Sequence, residues 1–237
     1  MDQKTKAFLV DYLPILALAP VIIAGGVLAK QAVYKIIPAV ATLFVVLLSS
    51  KLYRAAFLLG AANCILYSAG YFVDGLYGSL LSTLAVSAPL QVISFFLWKR
   101  SAYKQATVFR VFRPRWYPLL AVAVAALWGG MLYGSNRAGG ANGMIVLDSL
   151  LFALGLAVSV LLTFAFVEGY ALNILNCVLN AVMWCVLTAR NARDVTYLLI
   201  ALYMVFRTAL ALIACLKMYR TQRAERMEAA TGSSPSG

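Results

Sequence analysis

Long runs of apolar residues, separated by short polar stretches, dominate this chain from residue 13 onward. Eight such segments can be distinguished, at 13–29, 36–50, 55–73, 79–98, 117–133, 144–166, 169–189 and 194–217. Most approach the length of about 20 residues that a helix needs to cross a bilayer. Inside a bilayer each must be helical, because every backbone polar group needs a partner within its own segment. The pattern predicts an all-α polytopic membrane protein with about eight transmembrane helices.

The composition agrees with a membrane protein and argues against an enzyme. The chain is 63% hydrophobic and only 12% charged, and it contains no histidine. Without histidine, the commonest general base and the Ser-His and Cys-His nucleophile pairs are excluded. The four cysteines all lie in apolar runs, which indicates buried free thiols. We therefore predict no catalytic residues, no metal site and no cofactor.

The basic residues predict the orientation of the chain in the membrane. An even number of spans places both termini on one side, and that side carries fourteen of the 20 Lys and Arg residues. The opposite side carries five, and Arg207 lies inside the last span. Positive charge accumulates on cytoplasmic loops, so both termini are predicted to be cytoplasmic. The net charge of +12 then reflects topology and attraction to the lipid bilayer, and not a nucleic-acid partner.

Three connecting or terminal segments carry predictions of their own. The basic and aromatic stretch VFRVFRPRW, within the loop 99–116, is typical of an interfacial segment lying on the lipid surface. The Gly-rich loop 134–143 lacks the features of a phosphate-binding loop and is predicted to be a connector. The low-complexity tail is predicted to be disordered in the cytoplasm over 221–237.

Two stretches of the chain resemble each other. NCILYSAGYFV at 63–73 aligns with NCVLNAVMWCV at 176–186, and each falls in the middle span of a three-span group. One span lies between the groups, so the two units would insert in the same orientation as a parallel repeat. The predicted organisation is an N-terminal tail and helix at 1–35, a first three-helix repeat at 36–98, a loop, linker helix and external loop at 99–143, a second repeat at 144–220, and the tail.

Polar and aromatic residues recur at helical spacing on one face of three spans. The stripes are Asn63, Tyr67 and Tyr71; Thr83, Ser87, Gln91, Ser94 and Trp98; and Tyr170, Asn173, Cys177, Asn180 and Trp184, with Asn176 beside the last. Polar groups in hydrocarbon are costly unless paired or hydrated, so these faces should point inward. Interhelical hydrogen bonds of about 0.6 kcal/mol each are one interpretation. The other, which we favour, is a midplane cavity for a small solute with hydroxyl groups and a flat ring.

One arginine lies in the middle of the last predicted span. Arg207 stands one turn from Tyr203, and an ionisable residue at this depth indicates a functional site. It could pair with an acid, for which Asp148 is the best candidate, or it could meet an anionic or electron-rich part of a solute. The candidate substrate-binding residues are Asn63, Tyr67, Gln91, Trp98, Tyr170, Asn173, Asn176, Asn180, Trp184, Tyr203 and Arg207.

The segment GAANCILYSAGYFVDGLYGSLLSTLAVSAPLQVISFFLWKR at 60–100 carries a family resemblance. Its Gly60-x-x-Asn63-x-x-x-Tyr67 start, Tyr77-Gly78 turn, Pro89-x-Gln91 and Trp98-Lys99 resemble the PnuC-type vitamin transporters, bacterial relatives of the SWEET sugar carriers. Residues of the second half that fall where the family has similar ones are Asp148, Ser149, Glu168, Trp184 and Tyr203. The resemblance spans roughly 36–220.

The resemblance implies a 3+1+3 helix core with one extra N-terminal helix, in the bacterial inner membrane. It implies a facilitated-diffusion uniporter for nicotinamide riboside or, alternatively, thiamine, riboflavin or a nucleoside, with trapping by a cytoplasmic kinase and assembly as a homotrimer. Two features depart from the family: Tyr170 and Asn173 replace a Trp-x-x-Trp pair, and Arg207 adds a charge that would repel a cationic ring. A non-transporting membrane scaffold remains the alternative of another class, and it would have no cavity.

Overall fold

The secondary structure is almost entirely helical. The structure, a computed structural model, describes residues 3–28, 33–73, 82–100, 102–103, 106–137, 143–190 and 195–231. Its α-helices are α1 Gln3–Leu28, α2 Val33–Ser50, α3 Ala55–Val73, α4 Ala88–Arg100, α5 Tyr117–Arg137, α6 Gly143–Thr163, α7 Val167–Arg190 and α8 Val195–Thr231. Two strands of two residues, β1 Ala102–Tyr103 and β2 Ala106–Thr107, pair antiparallel between α4 and α5. The motif Tyr77-Gly78 and residues 232–237 lie outside the described residues.

Most of the helices have the length and composition of membrane spans. In the described part of the chain, five windows are long and apolar enough to cross a bilayer: Asp11–Leu28, Pro114–Gly134, Val146–Thr163, Val167–Arg190 and Val195–Glu228. Three shorter apolar helices lie at Ile36–Ser50, Ala55–Ala69 and Thr83–Trp98. Large apolar side chains on the outer faces are exposed, such as Val122 at 64%, as expected where lipid is the solvent. The prediction of an all-helical, multi-pass membrane protein is confirmed.

Helices α2, α3 and α4 pack in sequence, as do α6, α7 and α8. The two groups meet where α2 contacts α8 and where α4 contacts α6. Helix α1 packs on α2 and α8 through a cluster that contains Ile15, Ile22, Leu43 and Ile200, while α5 packs on α6. The interior of the bundle is therefore enclosed by both three-helix groups.

Two turns with the same geometry connect α2 to α3 and α6 to α7. Leu52 has φ 59° and Ala165 has φ 57°, the left-handed conformation that ends many helices. The N–H of Leu52 donates to Ser49, and that of the next residue reaches back to Leu48. Ala165 makes the same pair of bonds, to Leu162 and, through the next residue, to Leu161. We call this end of the bundle the turn end.

The start of α4 departs from α-helical geometry. Residues Ser82–Ser87 form a π-helix, and α4 then begins at Ala88. Pro89 has no N–H to donate and its ring would crowd the preceding α-helical turn, which favours a wider turn before it. Gln91 follows two residues later, in the first turn of α4.

Part of the loop between α4 and α5 docks on the protein, within the stretch predicted to lie on the lipid surface. Its residues 108–113, which we call the strap, dock on the turn end, and Phe109 is only 1% exposed. The backbone N–H of Arg110 donates to the carbonyl of Ala165 at 3.0 Å, and the carbonyl of Arg110 accepts from the backbone N–H of Val167 at 3.0 Å. The burial of Phe109 was not predicted. Val111 and Trp116 of the same stretch are 46% and 44% exposed, so a position of the stretch at the lipid surface stays a prediction.

The end of the chain is also more ordered than the sequence predicted. Helix α8 continues to Thr231, through residues 221–231 that were expected to be disordered. Gln222 is buried, and its side-chain oxygen accepts from the N–H of Phe109 at 3.1 Å. Contact with the strap gives this polar extension a tertiary partner, which composition alone could not reveal.

Candidate substrate cavity

A cavity of about 310 Å³ opens inside the turn end of the bundle. That volume falls at the lower end of the range for small-molecule sites. Both three-helix groups line it. Its lining residues are Val45, Val46, Ser49, Ser50, Leu52, Tyr53, Ala56, Phe57, Leu90, Gln91, Ser94, Trp98, Val158, Ser159, Leu162, Thr163, Tyr170, Asn173, Met204, Arg207, Thr208 and Ala211.

The lining combines amides, hydroxyl groups and aromatic rings. Gln91 and Asn173 supply the amides, and Ser and Thr residues supply the hydroxyls. Tyr53, Phe57, Trp98 and Tyr170 supply the rings. Amides and hydroxyls can both donate to and accept from a neutral polar solute, while ring faces suit a flat heterocycle. This chemistry is that of a binding site for a small polar ring compound.

An aromatic cluster forms one wall of the cavity and joins it to the strap. The ring of Trp98 packs edge-on against Phe57 at 4.7 Å and against Phe109 at 5.9 Å between centroids. Phe109 in turn meets Tyr170 at 6.2 Å. The indole N–H of Trp98 donates to the carbonyl of Leu162 at 3.0 Å, which fixes the ring. Phe109 of the strap therefore packs behind two rings of the cavity wall without lining the cavity itself.

A glycine makes room for the amide of Gln91. A β-carbon added at Gly60 would lie 1.8 Å from the side-chain oxygen of Gln91. The Gln91 amide consequently rests on the backbone of α3 and donates to the sulfur of Cys64 at 3.4 Å. The motif Gly60-x-x-Asn63 thus serves the packing of an amide from a neighbouring helix.

Arg207 lies in the cavity wall and is paired with an acid that the sequence analysis did not consider. One guanidinium nitrogen contacts Asp11 of α1 at 3.2 Å, and another donates to the hydroxyl of Ser50. The proposed pair with Asp148 was wrong: Asp148 is exposed on α6, and the hydrogen-bonded carboxylate comes from α1. The sequence analysis began the first span at residue 13, whereas α1 begins at Gln3 and brings Asp11 to the depth of Arg207.

Residues at one constant separation along the chain line the cavity together. The residue numbers of the two left-handed turn residues, Leu52 and Ala165, differ by the same amount as those of the aligned residues Asn63 and Asn176. We call this difference in residue number the repeat separation. Eight pairs of lining residues have the same separation: Val45 and Val158, Val46 and Ser159, Ser49 and Leu162, Ser50 and Thr163, Phe57 and Tyr170, Gln91 and Met204, Ser94 and Arg207, and Trp98 and Ala211. The cavity is thus built from corresponding positions of the two groups.

Comparison with known proteins identifies the family. The profile described as nicotinamide mononucleotide transporter matches residues 32–220. The chain belongs to this family. It is therefore a transporter and not an enzyme, and the resemblance predicted from the sequence is confirmed.

A solved structure of the family has a similar fold. The crystal structure described as that of the vitamin B3 transporter PnuC aligns with a TM-score of 0.71 and 18% identity. The alignment covers 89% of this chain and 92% of that one. A search of curated proteins found no match. At this identity the likeness shows the fold alone.

The transporter brings five of the predicted site residues to the cavity: Gln91, Trp98, Tyr170, Asn173 and Arg207. The others, Asn63, Tyr67, Asn176, Asn180, Trp184 and Tyr203, are not among its lining residues. The predicted grouping of Asn176, Asn180 and Trp184 around one midplane cavity therefore differs from this lining, which is at the turn end. The stripe on α7 runs along the whole helix, and only its first turns reach the cavity.

The residues away from the cavity have other contacts. Asn63 donates to Thr42 at 3.0 Å, and the hydroxyl of Tyr67 lies 3.1 Å from the same threonine. Trp184 stacks on Tyr197 at 4.6 Å between centroids. Tyr203 donates to the carbonyl of Leu43 at 3.1 Å. The hydrogen bonds connect α2 to α3 and α8, as interhelical hydrogen bonds in membranes commonly do.

Two asparagine oxygens in the interior have no hydrogen-bond partner among the described residues. They are the side-chain oxygens of Asn63 and Asn176, which correspond to each other in the two groups. A buried acceptor without a partner is costly, so such atoms in native structures usually meet water or a ligand. We call these two asparagines, which do not line the cavity, the second polar level.

Proposed function

We propose that this transporter is a facilitated-diffusion uniporter that imports a vitamin or nucleoside-like solute, such as nicotinamide riboside. The observation that carries the proposal is the cavity, whose amides, hydroxyls and rings come from corresponding positions of both three-helix groups. Such shared cavities suit alternating access, because relative motion of two units can expose one site to either side. The lining includes no carboxylate among the described residues, and proton or sodium coupling usually needs one.

We propose further that the eight helices all span the membrane in a 3+1+3 arrangement behind an N-terminal helix. The repeat separation supports this arrangement, because it relates the two turns, the two asparagines and the paired lining positions. The exchange of contacts between the groups, α2 with α8 and α4 with α6, also fits two units related by an axis along the membrane normal.

In the proposed orientation, the turn end of the bundle and both termini are cytoplasmic. Lys51 and Arg54 lie in the first turn, and Arg110, Arg113 and Arg115 follow in and after the strap. This accumulation of positive charge favours the cytoplasmic side of a bacterial inner membrane. Reporter fusions at Gly237 and in the loop at Gly139 test the orientation, and labelling of Gly237→Cys from outside intact cells would contradict it.

The substrate contacts are proposed for Gln91, Trp98, Tyr170, Asn173 and Arg207, with Asn63 and Asn176 at the second polar level. The remaining predicted residues, Tyr67, Asn180, Trp184 and Tyr203, then serve helix packing. Trapping of the solute by a cytoplasmic kinase and assembly as a homotrimer are retained as proposals from the family resemblance. Light scattering of the purified protein tests the assembly.

The function is tested by uptake into proteoliposomes of purified protein. Labelled nicotinamide riboside should enter saturably without an ion gradient and should exchange with unlabelled solute inside. Gln91→Ala or Asn173→Ala should weaken affinity up to about tenfold, since a hydrogen bond to a neutral group contributes roughly 0.5–1.5 kcal/mol.

Asn180→Ala is the matched control, because Asn180 belongs to the same stripe but does not line the cavity. Uptake that requires a proton or sodium gradient would contradict uniport. Failure to bind nicotinamide riboside, thiamine, riboflavin and nucleosides alike would overturn the proposed substrate class.

A further inference from the structure

We infer that Asp11 is a positioning residue that holds Arg207 in the cavity wall, and that the cavity therefore prefers a ring-bearing solute with an oxyanion, a carboxylate or a phosphate. This inference rests on the proposed transport function and narrows its solute class: nicotinamide riboside, whose ring is cationic, should bind more weakly than a related ring compound that carries an oxyanion. Asp11 lies on α1, outside the region that matches the family profile. The residue that orients the charge in the cavity is thus supplied by a helix added to the matched core.

Contacts from two helices fix the guanidinium of Arg207. Asp11 of α1 holds one terminal nitrogen at 3.2 Å, while the other terminal nitrogen reaches Ser50 and the carbonyl of Leu47 at 3.5 Å, both on α2. The Arg207 side chain is only 1% exposed, yet it is one of the lining residues. A planar donor held in this way is preorganised for an acceptor in the cavity.

The charged side chains that the structure describes in ion pairs at this site do not cancel. The second carboxylate oxygen of Asp11 lies 2.6 Å from the ammonium of Lys51, so two cations share one carboxylate. The group of three therefore keeps one net positive charge at the wall of a low-dielectric interior, where charge interactions are strong. Glu168 does not line the cavity, and its side chain accepts from the N–H of Phe112 and the hydroxyl of Tyr117 instead.

The corresponding position of the first group shows that packing does not require a charge here. Ser94 corresponds to Arg207, and its hydroxyl lies 2.8 Å from Thr163, which corresponds to Ser50. A neutral hydroxyl pair thus fills the place that Arg207 and Ser50 fill in the second group. The cation is an addition to the cavity, and a solute that accepts hydrogen bonds strongly would use it best.

The experiment compares four probes that share one ring and differ in charge. Nicotinate has a carboxylate where nicotinamide has a neutral amide, and nicotinamide mononucleotide adds a phosphate to nicotinamide riboside while keeping its cationic ring. Affinities for purified wild-type protein give, for each pair, the ratio of oxyanion to parent binding, which should exceed one. The pair with the larger ratio shows whether a carboxylate or a phosphate is the preferred oxyanion.

Three variants should shift this ratio in defined directions. Arg207→Gln should lower it about 10- to 100-fold, because a hydrogen bond to a charged group contributes roughly 1.5–3 kcal/mol. Lys51→Gln should lower it by a smaller factor, because Asp11 then balances Arg207 alone. Asp11→Asn should raise it, because it keeps an acceptor for Arg207 while removing the balancing charge. Arg137→Gln, at an exposed position on α5, is the control and should not change it.

The outcomes separate this inference from the proposed function. If solutes bind but the ratio is the same in wild type, Lys51→Gln and Arg207→Gln, Arg207 is structural and the inference fails while the transport proposal stands. A wild-type preference for nicotinamide riboside would overturn it in the same way. Lys51 is partly exposed at 29%, so its variant should fold and keep the test decisive. If no probe binds, the proposed function and the inference fail together.

Discussion

The two halves of the turn end can be compared with each other, because they share one backbone conformation and differ in their side chains. Both halves bend at a left-handed residue with the same pair of hydrogen bonds, and both direct position 94 or 207 toward position 163 or 50. At one of these places the hydroxyls of Ser94 and Thr163 form a pair. At the other lies Arg207, whose carboxylate partner comes from α1, outside both three-helix groups. The comparison teaches that the turns maintain the frame, whereas individual side chains determine what the cavity attracts.

The amides of the two halves differ in a related way. In the first half Gln91 projects from α4 over Gly60 of α3. In the second half the position that corresponds to Gln91 is Met204 on α8, and the amide is that of Asn173 on α7, the other helix. Both amides nevertheless line the cavity, one from each group. The hydrogen-bonding amide thus lies on different helices in the two groups, although the backbone arrangement is the same.

The largest expected effect concerns the ion pair that distinguishes the second half. Asp11→Ala should lower the free energy of unfolding by about 3–5 kcal/mol, because it leaves the buried Arg207 without its carboxylate. Ser94→Ala, at the corresponding neutral pair, should cost no more than about 1.5 kcal/mol, because Thr163 still donates to Ser159. Denaturant unfolding in detergent measures both. Equal losses for the two variants would remove the distinction between the halves.

A smaller effect should follow from loosening the strap, which docks on the α6–α7 turn. Gln222→Ala should cost about 1–3 kcal/mol, because the buried N–H of Phe109 loses its acceptor. Arg223→Ala, at the next and exposed position, should stay within about 0.5 kcal/mol of wild type. Thermal unfolding provides the comparison, and protease cleavage near residue 109 should become faster only in the first variant. Unchanged cleavage would show that the strap is held without Gln222.

The smallest effect tests the two turns against each other. Ala165→Gly should raise stability by up to about 1 kcal/mol, because a left-handed residue with a β-carbon costs roughly 1–2 kcal/mol and glycine returns part of that in the unfolded chain. Leu52→Gly should bring no gain, because the Leu52 side chain packs in the aromatic cluster and lines the cavity. Melting temperatures of the two variants check this prediction. A gain at both turns would mean that Leu52 contributes little packing.

The bundle itself could be predicted because bilayer physics acts on each segment locally. Apolar length is sufficient to locate a helix, and the match between Asn63 and Asn176 already contained the repeat separation that recurs in the two turns. Gln91, Trp98 and Asn173 were found at the cavity because helical spacing identifies a shared polar face.

The remaining contacts depend on tertiary neighbours that no local pattern specifies. Asp11 lies just before the apolar run in which the first span was placed, and only the packing of α1 brings it to Arg207. The sequence alone places Phe109 in an interfacial stretch, because its contact with the ring of Trp98 depends on the tertiary structure. A rule that extends each span through one helical turn of flanking residues would have included Asp11 among the candidate partners.

Helix α8 carries both the cation of the cavity wall and the side chain that holds the strap. The helix has 37 residues, a length of about 56 Å at 1.5 Å per residue, whereas the hydrocarbon layer is about 30 Å thick. Arg207 and Gln222 are separated by about 22 Å along its axis. A tilt of this helix would displace the cation in the cavity wall and the acceptor that holds the strap in a single movement. A partner that moves the projecting end of α8 would therefore also move the side chains that contact the solute.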